Sequence, residues 1–354
     1  MERIIRVPIS RDPYDVVVRA GLLGDAGRLA AQVIRPGRCA VVTDSHVGPV
    51  YAKTLVASLE LAGFSPVTVT VPAGEESKSL EQTGIVCEDL IRAGLDRSSS
   101  IFALGGGVVG DLAGFVAAVY FRGIPFIQVP TSVVAQVDSS VGGKTGVNAR
   151  GGKNLIGSFH QPRLVLADTD TLATLPPREF HQGFAEIIKH AAIRDPEMLD
   201  AMDDLPSLVA RNIAIKAEIV GQDEFETSGL RALLNFGHTV GHAIENAAGY
   251  GRFLHGEAIS LGLVAACRLS VEKSGLSDSD AARVIDALKH FNLPTVLPDD
   301  VGSDAIQSAW RSDKKFQQGS IRFVLLRKVG EAFLSTDVSE GDLVRMVRQL
   351  READ

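Results

Sequence analysis

Apolar residues in the first half of the chain fall into short runs or strict alternation, each followed by a stretch of helical spacing. In residues 1–20, Ile5, Val7 and Ile9 and then Tyr14, Val16 and Val18 alternate with polar neighbours. That pattern predicts two short strands with a turn at Asp12 and Pro13. Apolar runs at 39–44, 67–71, 101–104 and 124–129 predict buried strands, and 164–168 reads as a last strand that closes the sheet. Segments near 50–62, 80–93 and 112–120 carry helical spacing. Such alternation of strand and helix implies a mostly parallel sheet covered on both faces. After Leu175, Pro176 and Pro177 the pattern changes, and 180–193, 208–219, 233–247, 258–273, 280–290 and 343–350 all read as helices. Pro196, Pro206, Gly229, Gly249, Gly275 and Pro294 bound them. One hairpin is expected at 321–326 and 332–334. The expectation is therefore an α/β domain over 1–175 followed by an otherwise all-α domain over 176–354.

Composition narrows the functional classes. With 354 residues, 45% hydrophobic and 22% charged, the chain has room for two domains and a substantial core. A net charge of −7 gives no reason to expect nucleic acid or a membrane as partner, so any anion-binding surface must be local. Cys39, Cys87 and Cys267 are odd in number, far apart and in no CxxC pair, which favours a reducing compartment. No signal-peptide pattern opens the chain and no run approaches the ~20 apolar residues of a membrane span. A cytoplasmic location is the expectation.

Candidate chemistry concentrates in a few stretches. His238 and His242 are four residues apart, on one face of a predicted helix, and His255 follows in a predicted loop at 254–257. Imidazoles so grouped suggest a metal site, a proton relay, or both. Gly237, Gly241 and Gly256 around them suggest close backbone approach. Upstream, Glu186 and Lys189 share a helical face. Gly105, Gly107 and Gly110 fit GxGxxG at a strand-to-helix junction, where a pyrophosphate can approach backbone amides. The acidic residue expected about 20 positions later is absent, which leaves Asp44 and Glu75, each just past a strand, to hold ribose hydroxyls. Residues 138–154 form the most glycine-rich stretch and read as a mobile loop able to cradle phosphate or carboxylate. Its Gly143, Lys144 and Thr145 imitate a Walker A ending, but Asp138 occupies the place of the required glycine, so a nucleotidase is rejected. Lys216, Arg231, Lys314 and Lys315 add cations, although Lys216 could simply pair with the acidic run at 223–226.

Taken in order, the motifs at 105–111, 122–123, 130–154, 185–189, 216–218, 229–245, 255–257 and 313–315 resemble those of the 3-dehydroquinate synthases, nearly end to end. The resemblance implies an NAD-binding first domain, a helical second domain and an active site in the cleft between them. It implies a metal, Zn2+ or Co2+, held by Glu186, His238 and His255. Asp44, Gly74, Glu75, Lys78, Gly107, Val108, Val109, Gly110, Asp111, Thr131, Ser132, Lys144, Lys153, Thr171, Leu172, Ala173 and Thr174 match the family's NAD contacts. Asp138, Lys144, Lys189, Lys216, Arg231, Asn235 and His242 match its catalytic set. Lys153, Asn154, Arg122 and one or both of Lys314 and Lys315 match its substrate contacts. Arg122 resembles the arginine that the family supplies to a neighbouring subunit, which implies a homodimer.

The reaction implied converts a seven-carbon sugar-acid phosphate, 3-deoxy-D-arabino-heptulosonate 7-phosphate, to 3-dehydroquinate and phosphate. NAD-mediated transient oxidation is followed by β-elimination, reduction, ring opening and intramolecular aldol closure. The family serves the shikimate pathway, and hence chorismate and aromatic amino acid biosynthesis. A lysine- and arginine-rich pocket suits a substrate carrying both phosphate and carboxylate. Two alternatives stay open at this point: a sister sugar phosphate cyclase, and a metal-dependent polyol or glycerol dehydrogenase.

Overall fold

Nine strands and four α-helices span residues 3–168, seven of the strands in one sheet. In chain order they are β1 (Arg3–Val7), β2 (Tyr14–Arg19), α1 (Ala26–Ala30), β3 (Arg38–Asp44), α2 (Lys53–Leu61), β4 (Ser65–Val71), α3 (Leu80–Arg92) and β5 (Ser100–Gly105). α4 (Gly107–Val119), β6 (Phe126–Pro130), β7 (Lys144–Ala149), β8 (Gly152–Phe159) and β9 (Leu164–Asp168) follow. This computed structural model describes residues 2–249, 251–311 and 321–352. Seven strands form one sheet in the order β1-β2-β9-β6-β5-β3-β4, parallel throughout except for β1 against β2. β9 therefore lies inside the sheet instead of closing it, because β2 pairs along its free side. Side chains alternate between the two faces. Ile101 and Ala103 pack with Val86 and Leu90 of α3 and Leu112 and Val116 of α4. Phe102 and Leu104 pack with Leu55 and Leu59 of α2 and Ala26 and Ala30 of α1. Burial on both faces explains why these strands read as continuous apolar runs.

The stretch 138–154 is not the mobile loop its glycines suggested. Ala135–Ser139 closes a π-helical turn, and β7 and β8 form a two-stranded antiparallel hairpin. Gly146 faces Gly157 in its register, and a Cβ on Gly146 would sit 2.6 Å from the Ile156 carbonyl oxygen. These glycines serve tight strand pairing. Val147 is buried in the same core as α4, while β8 is largely exposed.

Beyond Leu175 the chain forms α5 (Pro177–Gln182), α6 (Phe184–Ile193), α7 (Leu205–Gln222), α8 (His238–Ala248), α9 (His255–Ser274), α10 (Asp278–His290), α11 (Ser303–Arg311) and α12 (Glu340–Gln349). The late hairpin is β10 (Ile321–Lys328) with β11 (Glu331–Val338). Two compact units result: Met1–Leu175 with Leu205–Phe225, and Pro176–Asp204 with Glu226–Asp354. The domain reading at 176–354 thus differs at α7, which packs on β1 and β2 of the first unit. Gly221 makes that contact possible, since a Cβ there would lie 2.7 Å from Pro8 Cγ. Among the described residues no helix is long and apolar enough to cross a membrane.

In the second unit, α8 and α9 cross at bare backbone. A Cβ on Gly262 would sit 2.0 Å from the Gly237 carbonyl oxygen, and one on Gly241 would sit 3.0 Å from that of Ala258. Gly237 also carries the positive φ, 79°, that starts α8. His255, expected in a loop, is the first residue of α9. The Glu257 carboxylate accepts the Leu254 amide at 2.8 Å, capping the helix at that point.

Candidate active site

In the second unit, α6 is buried along its whole length, and yet it carries Glu186, Lys189 and His190. Unpaired charges in such surroundings cost several kcal/mol. Here the Lys189 ammonium pairs with Glu186 Oε2 one turn away. Glu186 Oε1 lies 3.4 Å from His238 Nε2 and 3.3 Å from His255 Nε2. Neither carboxylate oxygen accepts a hydrogen bond of regular geometry. The far nitrogens of both rings are held: His238 Nδ1 faces the Phe236 carbonyl oxygen at 3.1 Å, and His255 Nδ1 faces Glu245 Oε2 at 3.4 Å. His242 adjoins them, its ring centroid 5.0 Å from that of His238 and 5.8 Å from that of His255.

This arrangement fits a divalent ion. Zinc–ligand bonds of about 2.0–2.2 Å put tetrahedral donor atoms about 3.3–3.6 Å apart, which is the spacing of Glu186 Oε1 from the two imidazoles. Outer partners on each ring fix the tautomer that presents Nε2. A second donor set is also present, since ligand nitrogens of His238, His242 and His255 lie within 4.8 Å of one another. The zinc-like spacing of Glu186 Oε1 from both imidazoles, and carboxylate oxygens that accept no regular hydrogen bond, favour Glu186 as the third donor. Electrostatics point the same way. Burial raises the Glu186 carboxyl, but Lys189, His238 and His255 outweigh it and hold the group well below the carboxylate range. Burial pushes His238 well down, so its ring is neutral and able to ligate. For His255 burial lowers the value, but Glu186 and Glu245 reverse that and raise it to about 9. Two negative carboxylates around one imidazole attract a cation, whether proton or metal.

In the first unit, the residues matched to NAD gather at the carboxyl ends of the parallel strands. Asp44 ends β3, and its Oδ1 accepts the amides of His46 and Val47 at 2.8 and 2.9 Å. The turn with Gly74, Glu75 and Lys78 follows β4, and Gly107, Val108, Val109, Gly110 and Asp111 open α4 directly after β5. Thr131 follows β6 and donates its amide to the Gly105 carbonyl oxygen at 3.0 Å, with Ser132 next to it. Thr171, Leu172, Ala173 and Thr174 follow β9. Strand order reverses between β3 and β5, and in such sheets that reversal opens a crevice for a nucleotide. Lys78 pairs with Asp111. The Asp111 carboxyl is nonetheless raised, because burial outweighs that lysine.

The substrate-type residues divide between the units. Lys216 pairs with Asp138. Its Nζ lies 2.6 Å from Asp138 Oδ1 and donates to the Asp138 carbonyl oxygen at 2.5 Å, because α7 packs beside the π-helical turn. Lys153 lies 3.9 Å from Glu75, while Lys144 and Asn154 are exposed on the hairpin. Arg122 is exposed and follows Phe121; both have positive φ, 69° and 48°, a conformation costing about 1–2 kcal/mol per residue. In the second unit Arg231 is buried 3.6 Å from Glu226, and Asn235 ends the 3₁₀ turn before α8. Lys314 and Lys315 lie outside the described residues. Sequence reasoning gave no role to Glu245, Asn148 or Gln136. Gln136 is fully buried and ties β6 to β9 by donating to the Pro130 and Asp168 carbonyl oxygens at 3.1 and 2.8 Å. A polar residue in a small-residue stretch was its only signal.

Known proteins resemble the chain along nearly its whole length. The family model described as 3-dehydroquinate synthase N-terminal matches residues 68–182, and the C-terminal one matches 183–316. The 3-dehydroquinate synthase of Caulobacter vibrioides is 48% identical, covering 97% of this chain and 97% of its own. Among solved structures, 2-epi-5-epi-valiolone synthase from Streptomyces hygroscopicus, with NAD+ and Zn2+ bound, is 29% identical with a TM-score of 0.86, covering 95% of this chain and 96% of its own. A 2-deoxy-scyllo-inosose synthase complexed with carbaglucose-6-phosphate, NAD+ and Co2+ is 25% identical with a TM-score of 0.87, covering 99% of each chain. With a parallel sheet ending on nucleotide-type turns, a buried His–His–Glu cluster and these relatives, the chain belongs to the 3-dehydroquinate synthase family.

Proposed function

We propose that this chain converts 3-deoxy-D-arabino-heptulosonate 7-phosphate to 3-dehydroquinate and phosphate, as an NAD- and metal-dependent phosphate-eliminating cyclase of the shikimate pathway. The observation that carries the reading is the buried Glu186 carboxylate with its oxygen 3.4 and 3.3 Å from the Nε2 atoms of His238 and His255. Those three residues would hold Zn2+ or Co2+, the ions found in the related cyclases. When bound, the ion supplies Lewis acidity toward substrate hydroxyls, and NAD takes and returns the hydride.

The remaining work falls to the chain's own side chains. Asp44, Glu75 and the amides at the start of α4 suit ribose and pyrophosphate, since a helix N-terminus offers unpaired N–H groups to an anion. Lys144, Lys153 and Asn154 on the hairpin, with Lys189 and Arg231, suit a substrate bearing phosphate and carboxylate. Asn235 suits a substrate hydroxyl. Asp138, held by Lys216, is placed to orient another. His242 adjoins the Glu186–His238–His255 cluster, its ring beside those of His238 and His255, which suits a proton carrier near neutral pH. The strained Phe121–Arg122 turn favours a functional reason for the backbone there. We assign Arg122 to the site of a second copy in a homodimer, and the enzyme to the cytoplasm, consistent with free Cys39, Cys87 and Cys267.

The test is direct. Full-length protein with NAD+ and Zn2+ should release one phosphate per heptulosonate phosphate consumed, with no accumulation of NADH. Oxidation of glycerol with NADH accumulation, and no phosphate release, would overturn the reading.

A further inference from the structure

We propose that Asn148 is a positioning residue that locks the cofactor turn at Glu75 to the substrate strand at Lys153 and Asn154, so that NAD binding preorganises the hairpin. The inference rests on the proposed function in one respect, that Glu75 serves NAD and Lys153 and Asn154 serve the substrate. Its geometry stands apart from that reading. Asn148 sits near the end of β7, and Asn148 Nδ2 donates to Glu75 Oε1 at 2.8 Å. Its Oδ1 accepts the Asn154 amide at 2.9 Å, across the hairpin on β8. Its own amide donates to the Lys78 carbonyl oxygen at 2.8 Å, and a lone parallel bridge joins it to Ser79. Lys153 Nζ lies 3.9 Å from the same Glu75 oxygen. One carboxylate thus touches both strands of the hairpin, and one carboxamide spans turn and hairpin.

The residue type follows from this role. The site demands a donor toward a carboxylate and an acceptor toward an amide on a single short planar group, which a carboxamide supplies and a carboxylate, hydroxyl or ammonium does not. The opposite flip would set Oδ1 against the Glu75 carboxylate and Nδ2 against an N–H, so the orientation is decided by the partners. Asn154 has φ 56°, a left-handed backbone that needs an anchor, and the Oδ1 bond is that anchor. Among the described residues β8 is largely exposed and its strand pairing is with β7. The Asn154 backbone is thus tied to one side chain, that of Asn148.

The experiment compares wild type, N148D, E75Q and E75Q/N148D as full-length proteins. N148D keeps the acceptor for Asn154 but sets two carboxylates against each other, and adding E75Q restores a donor–acceptor pair with the roles exchanged. Hydrogen–deuterium exchange with NAD+ as the only ligand is the first readout. NAD+ should slow exchange in Gly152–Phe159 by about tenfold in wild type, lose that effect in N148D, and regain it in the double variant. Kinetics is the second: KM for the heptulosonate phosphate should rise about tenfold in N148D with kcat within about threefold, the loss of one charge-assisted hydrogen bond. The double variant should recover the substrate KM while keeping the weaker NAD+ binding of E75Q alone. If NAD+ leaves hairpin exchange unchanged in wild type, or E75Q/N148D is no better than N148D, the coupling is overturned. Absence of phosphate release by wild type, with the exchange pattern intact, would instead overturn the proposed function and leave the coupling standing.

Discussion

A carboxylate with no exposed surface persists as an anion only where its burial is offset by charged and polar partners, and Glu186 has the Lys189 ammonium and the rings of His238 and His255. On the proposed reading the three histidines differ in role. His255→Ala and Glu186→Gln should each weaken metal binding at least 100-fold, measured by chelator competition on the purified protein. His242→Ala should keep one metal per chain while turnover falls by about 10²–10⁴. Equal metal loss in all three would contradict the assignment. The repeat of His238 and His242 at four residues by itself suggests that both ligate one metal. Geometry gives His238 a different neighbour, Glu186 from α6, fifty-two positions upstream. No local spacing encodes that contact, because it depends on how α6, α8 and α9 pack. Glu245 escaped notice for the same reason, since it reaches His255 from another helix.

Helices α8 and α9 hold the cluster only because their backbones touch. Gly262→Ala would force a methyl to within 2.0 Å of the Gly237 carbonyl oxygen. Thermal or urea unfolding should show a loss of about 1–3 kcal/mol, with metal affinity falling alongside because His238 starts α8. Retained stability with unchanged metal affinity would refute the close-contact account. A second element-scale prediction concerns α12. Asp342 accepts the Ser339 amide and hydroxyl at 2.9 and 2.7 Å, with Lys273 at 2.8 Å and Arg345 at 2.9 Å. Burial raises its carboxyl, but Lys273, Ser339 and Arg345 outweigh that and hold it far below the usual range. A depressed folded value stabilises the fold above the unfolded value of about 3.9 and is lost as pH falls below it. Asp342→Asn should therefore cost about 1–2 kcal/mol at neutral pH, and the gap in melting temperature from wild type should close as pH drops below about 4. A gap that stays constant would exclude linkage through this carboxyl. Such elements were legible where apolar periodicity ran unbroken, as in α3, α9 and α10. It failed at 138–154, where glycines that permit tight pairing of β7 with β8 resemble glycines that permit a loop.

Across the whole molecule, the three thiols report on how each unit is closed. Burial pushes Cys39 in β3 and Cys267 in α9 up to about 12, and Cys87, half-buried on α3, is raised less. Alkylation of native protein at pH 8 should modify Cys87 alone, and all three only after denaturation, as counted by mass spectrometry. Labelling of Cys39 without unfolding would contradict the packing of the sheet. Chain order by itself determined the alternation of strands and helices, the change to helices after Leu175, and which charged and histidine residues were candidates for chemistry. Those signals are local, set by side-chain periodicity and turn chemistry within about a dozen residues. Tertiary structure alone decided that β9 lies inside the sheet, that α7 returns to the first unit and that Lys216 pairs with Asp138. Glu186, His238 and His255 likewise meet only in the fold. Each of these depends on contacts between residues tens of positions apart, where the free energy comes from shared burial and paired charge, not from any property of either segment alone.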